Sequence, residues 1–213
     1  MAAERSGRKS SDITIVAVSK KKPSSMIHSL YDCGQRVFGE NYMQEAVNKI
    51  KELSDLADVK WHFIGHLQRN KAKHAAKWFD WVETVDSLKL AKALNKRAGE
   101  LGRRLKVLVQ INIAGEQTKH GVAPEDAQAL LEEIGTLSRL EFKGLMTIHP
   151  FSADPEDARQ WFKKMAQLRD DFSALYPALD FSELSMGMSN DFEVAIEEGA
   201  TIVRIGTALF GPR

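Results

Sequence analysis

The segment 13–20 reads ITIVAVSK, an almost unbroken apolar run that is rich in β-branched residues and ends in a lysine. A strand that is apolar on both of its faces is typical of a buried parallel sheet. If side chains alternate regularly along the strand, Thr14, Val16, Val18 and Lys20 share one side. Lys20 therefore ends a buried row.

Lys20 is the first candidate for chemistry. A buried ammonium group is costly, and burial lowers the pKa of a lysine toward the range in which its free amine attacks a carbonyl carbon. Lysines of this kind form Schiff bases. The alternative is that Lys20 merely begins a polar loop with Lys21 and Lys22. If the strand is buried, only Lys20 continues the inward row, and Lys21 and Lys22 are predicted to be solvated.

Length and charge narrow the class of protein. With 213 residues, of which 43% are hydrophobic, the chain can bury a large core, and we expect one domain spanning residues 1–213. Its 30 basic and 29 acidic residues leave a formal net charge of +1. A neutral protein has no general field that attracts nucleic acid or an anionic membrane. One basic segment, QRNKAKHAAKW, is interpreted as a solvated helix face rather than a nucleic-acid interface.

The sequence shows no clear targeting segment and no clear metal-binding motif. The first twelve residues, MAAERSGRKSSD, have no apolar core for a signal peptide, and no apolar run approaches the ~18 residues of a membrane helix. A cytoplasmic protein is therefore expected. Cys33 is the only cysteine, which excludes an internal disulfide. His62 and His66 are four residues apart, but they flank a strand end and a glycine, so we predict no metal site.

Short apolar runs alternate with amphipathic segments along the chain. About eight strands are predicted, at 13–20, 36–38, 61–64, 81–85, 105–113, 142–148, 184–186 and 201–205. Helical patterns separate them. In one domain of this size, the alternation favours a closed (β/α)8 TIM-type barrel over an open sheet.

The layer of helices around this barrel is predicted to be incomplete at the position of the eighth helix. Only GTALFGPR follows the last strand, so the eighth outer helix would have to be N-terminal. The segment MAAERSGR has room for barely two helical turns. We therefore expect a shortened N-terminal helix.

The loops after the last two predicted strands suggest a phosphate site. In TIM barrels the chemistry lies at the carboxyl ends of the strands, and phosphate often binds after the last two. The loop 187–190, GMSN, offers a turn and the Ser189 hydroxyl, and Asn190 with Glu193 forms a capping pattern. Gly206 and Thr207 follow the final strand. Both loops are also compatible with ordinary loop chemistry.

Arg204 lies within the strand TIVRIG, facing opposite to Val203 and Ile205. A buried arginine needs an acceptor because its guanidinium does not lose its proton. The first and last strands are neighbours in a closed barrel, so Lys20 and Arg204 are expected to lie close together. A Schiff-base lysine, a phosphate cradle and an arginine donor together describe a pocket for pyridoxal 5'-phosphate (PLP), the cofactor form of vitamin B6.

Motifs along the whole chain support this interpretation. In order they are AVSK, FGENY-QE, WHFIG-LQ-NK, GLMTI, SMGMSND and VRIGTALFG. This set resembles the PLP homeostasis proteins, the YggS/PROSC-like family, whose barrel is related to the N-terminal domain of alanine racemase. Two departures stand out. The N-terminal helix is shorter than is usual in the family, and His149-Pro150 replaces smaller residues that are common after GLM-I.

The resemblance implies a role for each matching residue. Lys20 would carry the Schiff base, and Ser189, Gly206 and Thr207 would hold the phosphate. Arg204 would face the pyridine nitrogen, and Asn41 would lie near the cofactor ring. No catalytic residue is implied.

Two functions from different classes follow. The first is a non-catalytic PLP-binding protein that buffers or delivers the cofactor, with PLP-dependent apo-enzymes as partners, and affects amino-acid and keto-acid levels. The second is a small PLP-dependent amino-acid racemase. Racemisation needs an acid or base on each face of the α-carbon, and Lys20 serves only one face. Alanine racemase obtains the other base from a second domain across a dimer. This sequence shows no such domain, and a monomer is expected.

Overall fold

Eight parallel strands close into a barrel in the part of the chain that the structure, a computed structural model, describes, namely residues 1–116 and 119–211. Each strand pairs with its neighbours in sequence, and the first pairs with the last. The strands are β1 (Thr14–Val18), β2 (Val37–Glu40), β3 (Lys60–Phe63), β4 (Trp81–Val85), β5 (Leu105–Ile111), β6 (Leu140–Thr147), β7 (Glu183–Met188) and β8 (Ile202–Ile205). The predicted (β/α)8 TIM-type barrel is confirmed.

Helices surround the barrel. In the described ranges they are α1 (Ala2–Arg5), α2 (Ser24–Asp32), α3 (Met43–Glu52), α4 (Ala72–Trp78), α5 (Leu88–Glu100), α6 (Ala127–Ile134), α7 (Arg159–Leu175), α8 (Phe192–Glu197) and α9 (Thr207–Phe210). Their apolar residues recur at helical spacing, so one face of each longer helix is buried against the strands. On α5, for example, Leu90, Leu94 and Ala98 are buried. No helix of the described chain has the length and apolar character needed to cross a membrane.

Two apolar clusters form the core. The larger one lies between the strands and the helices and includes Phe38 and Phe162. The smaller one fills the inside of the barrel and comprises Val16, Leu108, Met146 and Ile202. Val16 points inward, and its Cα is paired with that of Arg204 on β8. The predicted inward position of Val16 is therefore confirmed, but β1 is shorter than the predicted strand over 13–20, and Ile15 on its other face is exposed rather than buried.

The last two β/α units differ in detail from the prediction. β7 extends to Met188, which pairs with Arg204, so Gly187 and Met188 belong to the strand rather than to a loop. The prediction that Asn190 caps α8 is wrong. Asp191 is the N-cap residue, and its Oδ1 accepts a hydrogen bond from the Met188 amide at 2.7 Å. The Asn190 side chain instead donates to the Ser152 carbonyl at 3.1 Å.

The N-terminal segment packs against α8. Helix α1 has only four residues, as the prediction of a shortened helix requires. Arg5 makes ion pairs with Glu193 at 2.6 Å and Glu197 at 2.7 Å. An apolar groove of about 370 Å³ runs between α1, α8 and α9, where Ile15 and Leu209 are exposed. Pro212 and Arg213, the end of the predicted C-terminal tail, lie outside the described residues.

Candidate functional site

A cavity of about 280 Å³ opens at the carboxyl ends of the strands, mainly β1, β2, β7 and β8, with Ile64 after β3 and Ile148 after β6 also lining it. All six residues predicted to bind the cofactor line it, namely Lys20, Asn41, Ser189, Arg204, Gly206 and Thr207. They come from four strands or the loops that follow them. The closed barrel therefore brings together side chains that lie as far apart in the sequence as Lys20 and Thr207.

The backbone next to Lys20 is fixed by a buried ionic network. Ser19 is fully buried, and its hydroxyl donates to Glu40 Oε1 at 2.7 Å. Lys49 Nζ donates to the Ser19 carbonyl at 2.7 Å, to Glu40 Oε1 at 2.8 Å and to Glu45 Oε1 at 2.6 Å. One ammonium group thus links the end of β1 to the end of β2 and to α3.

The carboxyl group of Glu40 is costly to bury. Burial raises its pKa above the usual range for a glutamate, although hydrogen bonds and charge from Lys49 and a hydrogen bond from Ser19 oppose this effect. Glu40 Oε2 is buried and has no hydrogen-bond partner within residues 1–116 and 119–211. The ionised form of Glu40 therefore depends on Lys49.

The turn after Lys20 separates the three consecutive lysines. Lys21 has a φ of 60°, and its amide donates to Glu45 Oε1 at 2.5 Å. Its side chain is exposed, as predicted. The prediction that Lys22 is solvated is wrong, because Lys22 is half-buried and its Nζ donates to the carbonyls of Phe210 at 3.0 Å and Gly211 at 3.1 Å. The left-handed turn directs Lys22 toward the C-terminal end of α9.

Arg204 lies at the floor of the cavity and is 4% exposed. Its Nη1 donates to Ser185 Oγ at 2.6 Å, and its Nη2 donates to the Thr147 carbonyl at 2.8 Å. Ser185 in turn donates to Glu83 Oε2 at 2.6 Å, and Glu83 Oε1 lies 2.6 Å from His62 Nδ1. The guanidinium is thus held by a hydroxyl that is itself oriented by a buried carboxylate.

Glu83 supplies the negative charge that this buried network needs. Burial alone raises the pKa of its carboxyl, but the hydrogen bond and charge of His62, the charge of Arg204 and the hydrogen bond from Ser185 outweigh it, so the pKa lies below the usual range. Burial lowers the pKa of the Arg204 guanidinium, and the charges of Glu83 and Asp191 oppose this effect. Glu83 and Arg204 are therefore ionised together.

We expect Glu83→Gln to flatten the acid dependence of stability. Because folding lowers the pKa of Glu83, its carboxylate stabilises the fold above its unfolded pKa of about 4.3, and this stability is lost as pH falls through the lower, folded value. Urea unfolding between about pH 5 and about pH 2, the range that spans the unfolded pKa and the lower folded pKa, measures the slope. The control is Glu125→Gln, at an exposed site. Parallel slopes for wild type and Glu83→Gln would contradict the assignment.

Asn41 offers an unused acceptor to the cavity. Its Oδ1 is buried but has no hydrogen-bond partner in the described residues, although buried polar atoms are normally paired. Gly65 packs directly on the Asn41 backbone, since a Cβ at position 65 would lie 2.2 Å from the Asn41 carbonyl oxygen. Thr84 Oγ1 holds the Gly65 carbonyl at 2.7 Å. Asn41 is therefore fixed with a free acceptor, a pattern that fits a site for a polar ligand.

Two backbone amides converge near Ser189. The Ser189 hydroxyl accepts from the amide of Gly206 at 3.1 Å and from that of Ala208 at 3.4 Å. Thr207 lies between these amides and lines the same cavity. Both N–H groups are occupied by the Ser189 oxygen in this structure. A phosphate that displaced this oxygen would find N–H groups beside hydroxyls, which suit phosphate oxygens.

Three other side chains with possible chemistry lie elsewhere. Over the described ranges, the lining of this cavity includes neither Tyr42, His66 nor His149. His149 is buried, with Nε2 3.1 Å from Asp191 Oδ2 and Nδ1 2.5 Å from the Pro150 carbonyl. Both of its ring nitrogens are therefore occupied, and it braces the loop before α7 against the start of α8.

The supporting residues were missed because their signals are weak in the sequence. Glu83 is a single acidic residue in the predicted strand WVETV, which is the kind of position that a buried partner would explain. Lys49 has no such signal, since a lysine on an amphipathic helix is usually solvated. Its burial depends on how α3 packs against β1 and β2.

Comparison with known proteins identifies the family. The profile of the family described as alanine racemase, N-terminal domain, matches residues 4–213. A pyridoxal phosphate homeostasis protein of Aquifex aeolicus is 45% identical over 212 residues, covering 100% of this chain and 92% of its own. The protein of the same name from Escherichia coli K12 is 46% identical over 218 residues, covering 100% and 91%. The chain belongs to the pyridoxal phosphate homeostasis protein family. The predicted resemblance is confirmed.

Solved structures agree with this assignment. PipY of Synechococcus elongatus, a structure with PLP bound, is 40% identical, has a TM-score of 0.90 and covers 99% of this chain and 100% of its own. Its PLP-free structure has a TM-score of 0.91 with the same identity and coverage. An alanine racemase of Clostridium difficile is 18% identical with a TM-score of 0.76, and this chain corresponds to 58% of it. The likeness to alanine racemase shows a shared barrel fold alone.

Proposed function

We propose that this member of the pyridoxal phosphate homeostasis protein family binds PLP in the cavity between β1, β2, β7 and β8 and acts as a non-catalytic carrier or buffer of the cofactor. The observation that carries the proposal is the convergence of Lys20, Arg204 and the amide cradle at Ser189 in one cavity of about 280 Å³. The PLP-bound structure of PipY, 40% identical over nearly the whole chain, supports the choice of ligand.

The residues present fit PLP group by group. Lys20 would hold the aldehyde carbon through a covalent link that borohydride reduces. Ser189, Gly206 and Thr207 would hold the phosphate with hydroxyls and amides, and Arg204 would face the pyridine nitrogen as a donor. Asn41 Oδ1, buried and unpaired in the described chain, would find a partner beside the cofactor ring.

We propose that the protein does not turn over amino acids, and the reason lies in the charges that face the cavity. Bound PLP supplies an electron sink for carbanions, and the sink is strongest when a carboxylate keeps the ring nitrogen protonated. Arg204 donates to Ser185 and Thr147, and a guanidinium has no acceptor for a hydrogen bond from a protonated ring nitrogen, so it favours the unprotonated ring. The protein therefore supports the electron sink poorly.

A second base for racemisation is also lacking among the described lining residues. Apart from Lys20, the titratable groups there are Asp191 and Arg204. Asp191 uses Oδ1 for the Met188 amide at 2.7 Å and Oδ2 for His149 at 3.1 Å. Its carboxylate is thus committed to holding the start of α8. This arrangement disfavours the racemase alternative.

The experiment that tests this function follows α-proton exchange. PLP-loaded protein is incubated with several L-amino acids in deuterated water, and deuterium incorporation and D-isomers are measured. We expect neither at ordinary enzyme rates. Turnover of about 1 per second or faster that disappears in Lys20→Ala would contradict the non-catalytic role and support a racemase. An alanine racemase of known activity, assayed in the same way, provides the positive control.

A further prediction concerns the residues proposed to hold the phosphate of PLP. Ser189→Ala and Thr207→Val each remove a hydrogen bond to the charged phosphate and should weaken PLP binding by roughly 1.5–3 kcal/mol, or about 10- to 150-fold in Kd. Spectroscopic titration gives the affinities. Ser29→Ala and Thr136→Val, at exposed positions, are the matched controls. Unchanged affinity in both cradle variants would place the phosphate elsewhere.

The proposal extends to the delivery of PLP to other proteins. A carrier that holds PLP through a reversible covalent link releases it when another amine competes, so PLP-dependent apo-enzymes with their own lysine are the natural recipients. We propose that the protein acts as a monomer in the cytoplasm. Mixing PLP-loaded protein with an apo-enzyme, in contact or across a dialysis membrane, separates direct transfer from release into solution.

A further inference from the structure

A cluster of three side chains lies beside the proposed PLP cavity and takes no part in it. Ligand atoms of His66, Asp86 and His120 all lie within 4.8 Å of one another. They follow three successive strands, since His66 comes after β3, Asp86 after β4 and His120 in the loop after β5. A search by sequence spacing misses such a cluster because its members lie in three separate loops.

We propose that His66, Asp86 and His120 form a binding site for a divalent transition-metal ion of the zinc class. Two imidazoles and one carboxylate are a ligand set that Zn²⁺ uses when it keeps one coordination position open. The proposal does not depend on PLP binding.

The distances suit this ion. His66 Nδ1 lies 3.7 Å from Asp86 Oδ2. Metal–ligand distances of about 2.0–2.2 Å in a tetrahedral site place neighbouring ligand atoms roughly 3.3–3.6 Å apart. Ligand atoms within 4.8 Å therefore need to approach by at most about 1.2–1.5 Å, which a change of side-chain torsion achieves.

The two histidine rings stack, with centroids 3.6 Å apart and an angle of 11° between their planes. Stacked rings do not both point a nitrogen at one ion, so one ring must turn when the metal binds. Both histidines are exposed, which makes such a rotation inexpensive.

The backbone that carries the ligands is held in place. The Gly65 carbonyl, next to His66, accepts from Thr84 at 2.7 Å. The His120 carbonyl accepts from Gln110 Nε2 at 2.9 Å, so its loop is tied to the inner face of β5. The backbone positions of His66 and His120 are therefore fixed, and the two exposed side chains need only rotate to reach a shared ion.

The local charge and space also suit a cation. A cavity of about 240 Å³ adjoins the cluster and is lined by His66, His120 and Lys119. The ammonium of Lys119 is the opposing charge, and Glu116 pairs with it at 3.1 Å. Asn41 and Ile64 line both this cavity and the proposed PLP cavity. The open coordination position would take a small anionic ligand such as a carboxylate.

Zinc titration of the protein tests the proposal, with and without bound PLP. Calorimetry at pH 7.5 should give one Zn²⁺ per chain, and Co²⁺ should give the visible bands of a tetrahedral site. His66→Ala, His120→Ala and Asp86→Asn should each weaken binding at least tenfold. His74→Ala, which removes an exposed histidine on α4, is the matched control and should leave binding unchanged. Affinity should fall as the pH is lowered, because protons compete with the metal ion for its ligands.

Two results would overturn the proposal. The first is a lack of saturable Zn²⁺ binding by the wild type, which would leave the two histidines as a simple stacked pair. The second is binding that survives in the His66→Ala/His120→Ala variant, which would place the ion elsewhere. If Asp86→Asn does not fold, the two histidine variants decide the outcome, because both side chains are exposed.

Discussion

Lys49→Met is expected to lower the free energy of unfolding by about 3–5 kcal/mol, because removing one partner of a buried ion pair leaves the other charge without compensation. The abandoned partner is Glu40, which is fully buried and has one oxygen already unpaired in the described chain. For a chain of this size, the loss corresponds to a decrease in Tm of roughly 6–20 °C. Urea and thermal unfolding measure both quantities.

Two further variants distinguish the loss of the buried ion pair from the general effect of replacing a lysine by methionine. Lys49→Met/Glu40→Met removes both charges and should recover most of the lost stability, since a buried pair is often replaceable by apolar residues. Lys96→Met, at an exposed site on α5, is the control for losing a lysine and should change stability little. A double variant as unstable as the single one would show that the network acts through something other than this charge pair.

The Lys49 variant should also bind PLP less well. Lys49 holds the Ser19 carbonyl and Glu45, and Glu45 holds the amide of Lys21. These contacts fix the backbone on both sides of Lys20. With them lost, the Lys20 amine would sample more directions, and the rate at which the covalent link forms should fall. Stopped-flow absorbance after mixing with PLP measures that rate.

The second large effect is expected at Lys20 itself. Lys20→Ala should abolish the visible absorbance of covalently held PLP and weaken cofactor retention by at least about tenfold, or 1.4 kcal/mol. Residual binding through the phosphate cradle should remain, because Ser189, Gly206 and Thr207 are separate from the lysine. Lys21→Ala is the matched control, as its side chain is exposed and lies next in the chain.

The Lys20 and Lys49 variants are distinguishable by stability. Lys20→Ala should unfold at nearly the wild-type denaturant concentration in the absence of PLP, whereas Lys49→Met should not. If Lys20→Ala keeps the full absorbance while Lys22→Ala loses it, the register assigned to the end of β1 is wrong.

Much of the architecture could be predicted because it depends on local patterns. The run ITIVAVSK predicts a strand with Val16 and Lys20 on one side, and Val16 does lie inside the barrel and Lys20 at its mouth. The strand is shorter than predicted, since β1 ends at Val18, and its other face is not fully buried, since Ile15 is 44% exposed. Arg204, polar within an apolar strand, was predicted to need an acceptor. It has two, Ser185 and Thr147.

What sequence could not predict depends on tertiary placement. Asn190 and Asp191 are both good capping residues, and only the extension of β7 to Met188 decides between them. Lys22 resembles any surface lysine until the end of α9 approaches it. The partnership of Glu83 and His62 joins neighbouring strands across the inside of the barrel, and no spacing rule in the sequence specifies it.

The most direct test of the account is to map the site of PLP attachment. The purified protein is incubated with PLP, reduced with borohydride, digested and analysed by mass spectrometry. The pyridoxyl group is expected on Lys20, at about one per chain, and Lys20→Ala is expected to acquire essentially none. A pyridoxyl group found chiefly on Lys21 or Lys22, or equal labelling of wild type and Lys20→Ala, would contradict it.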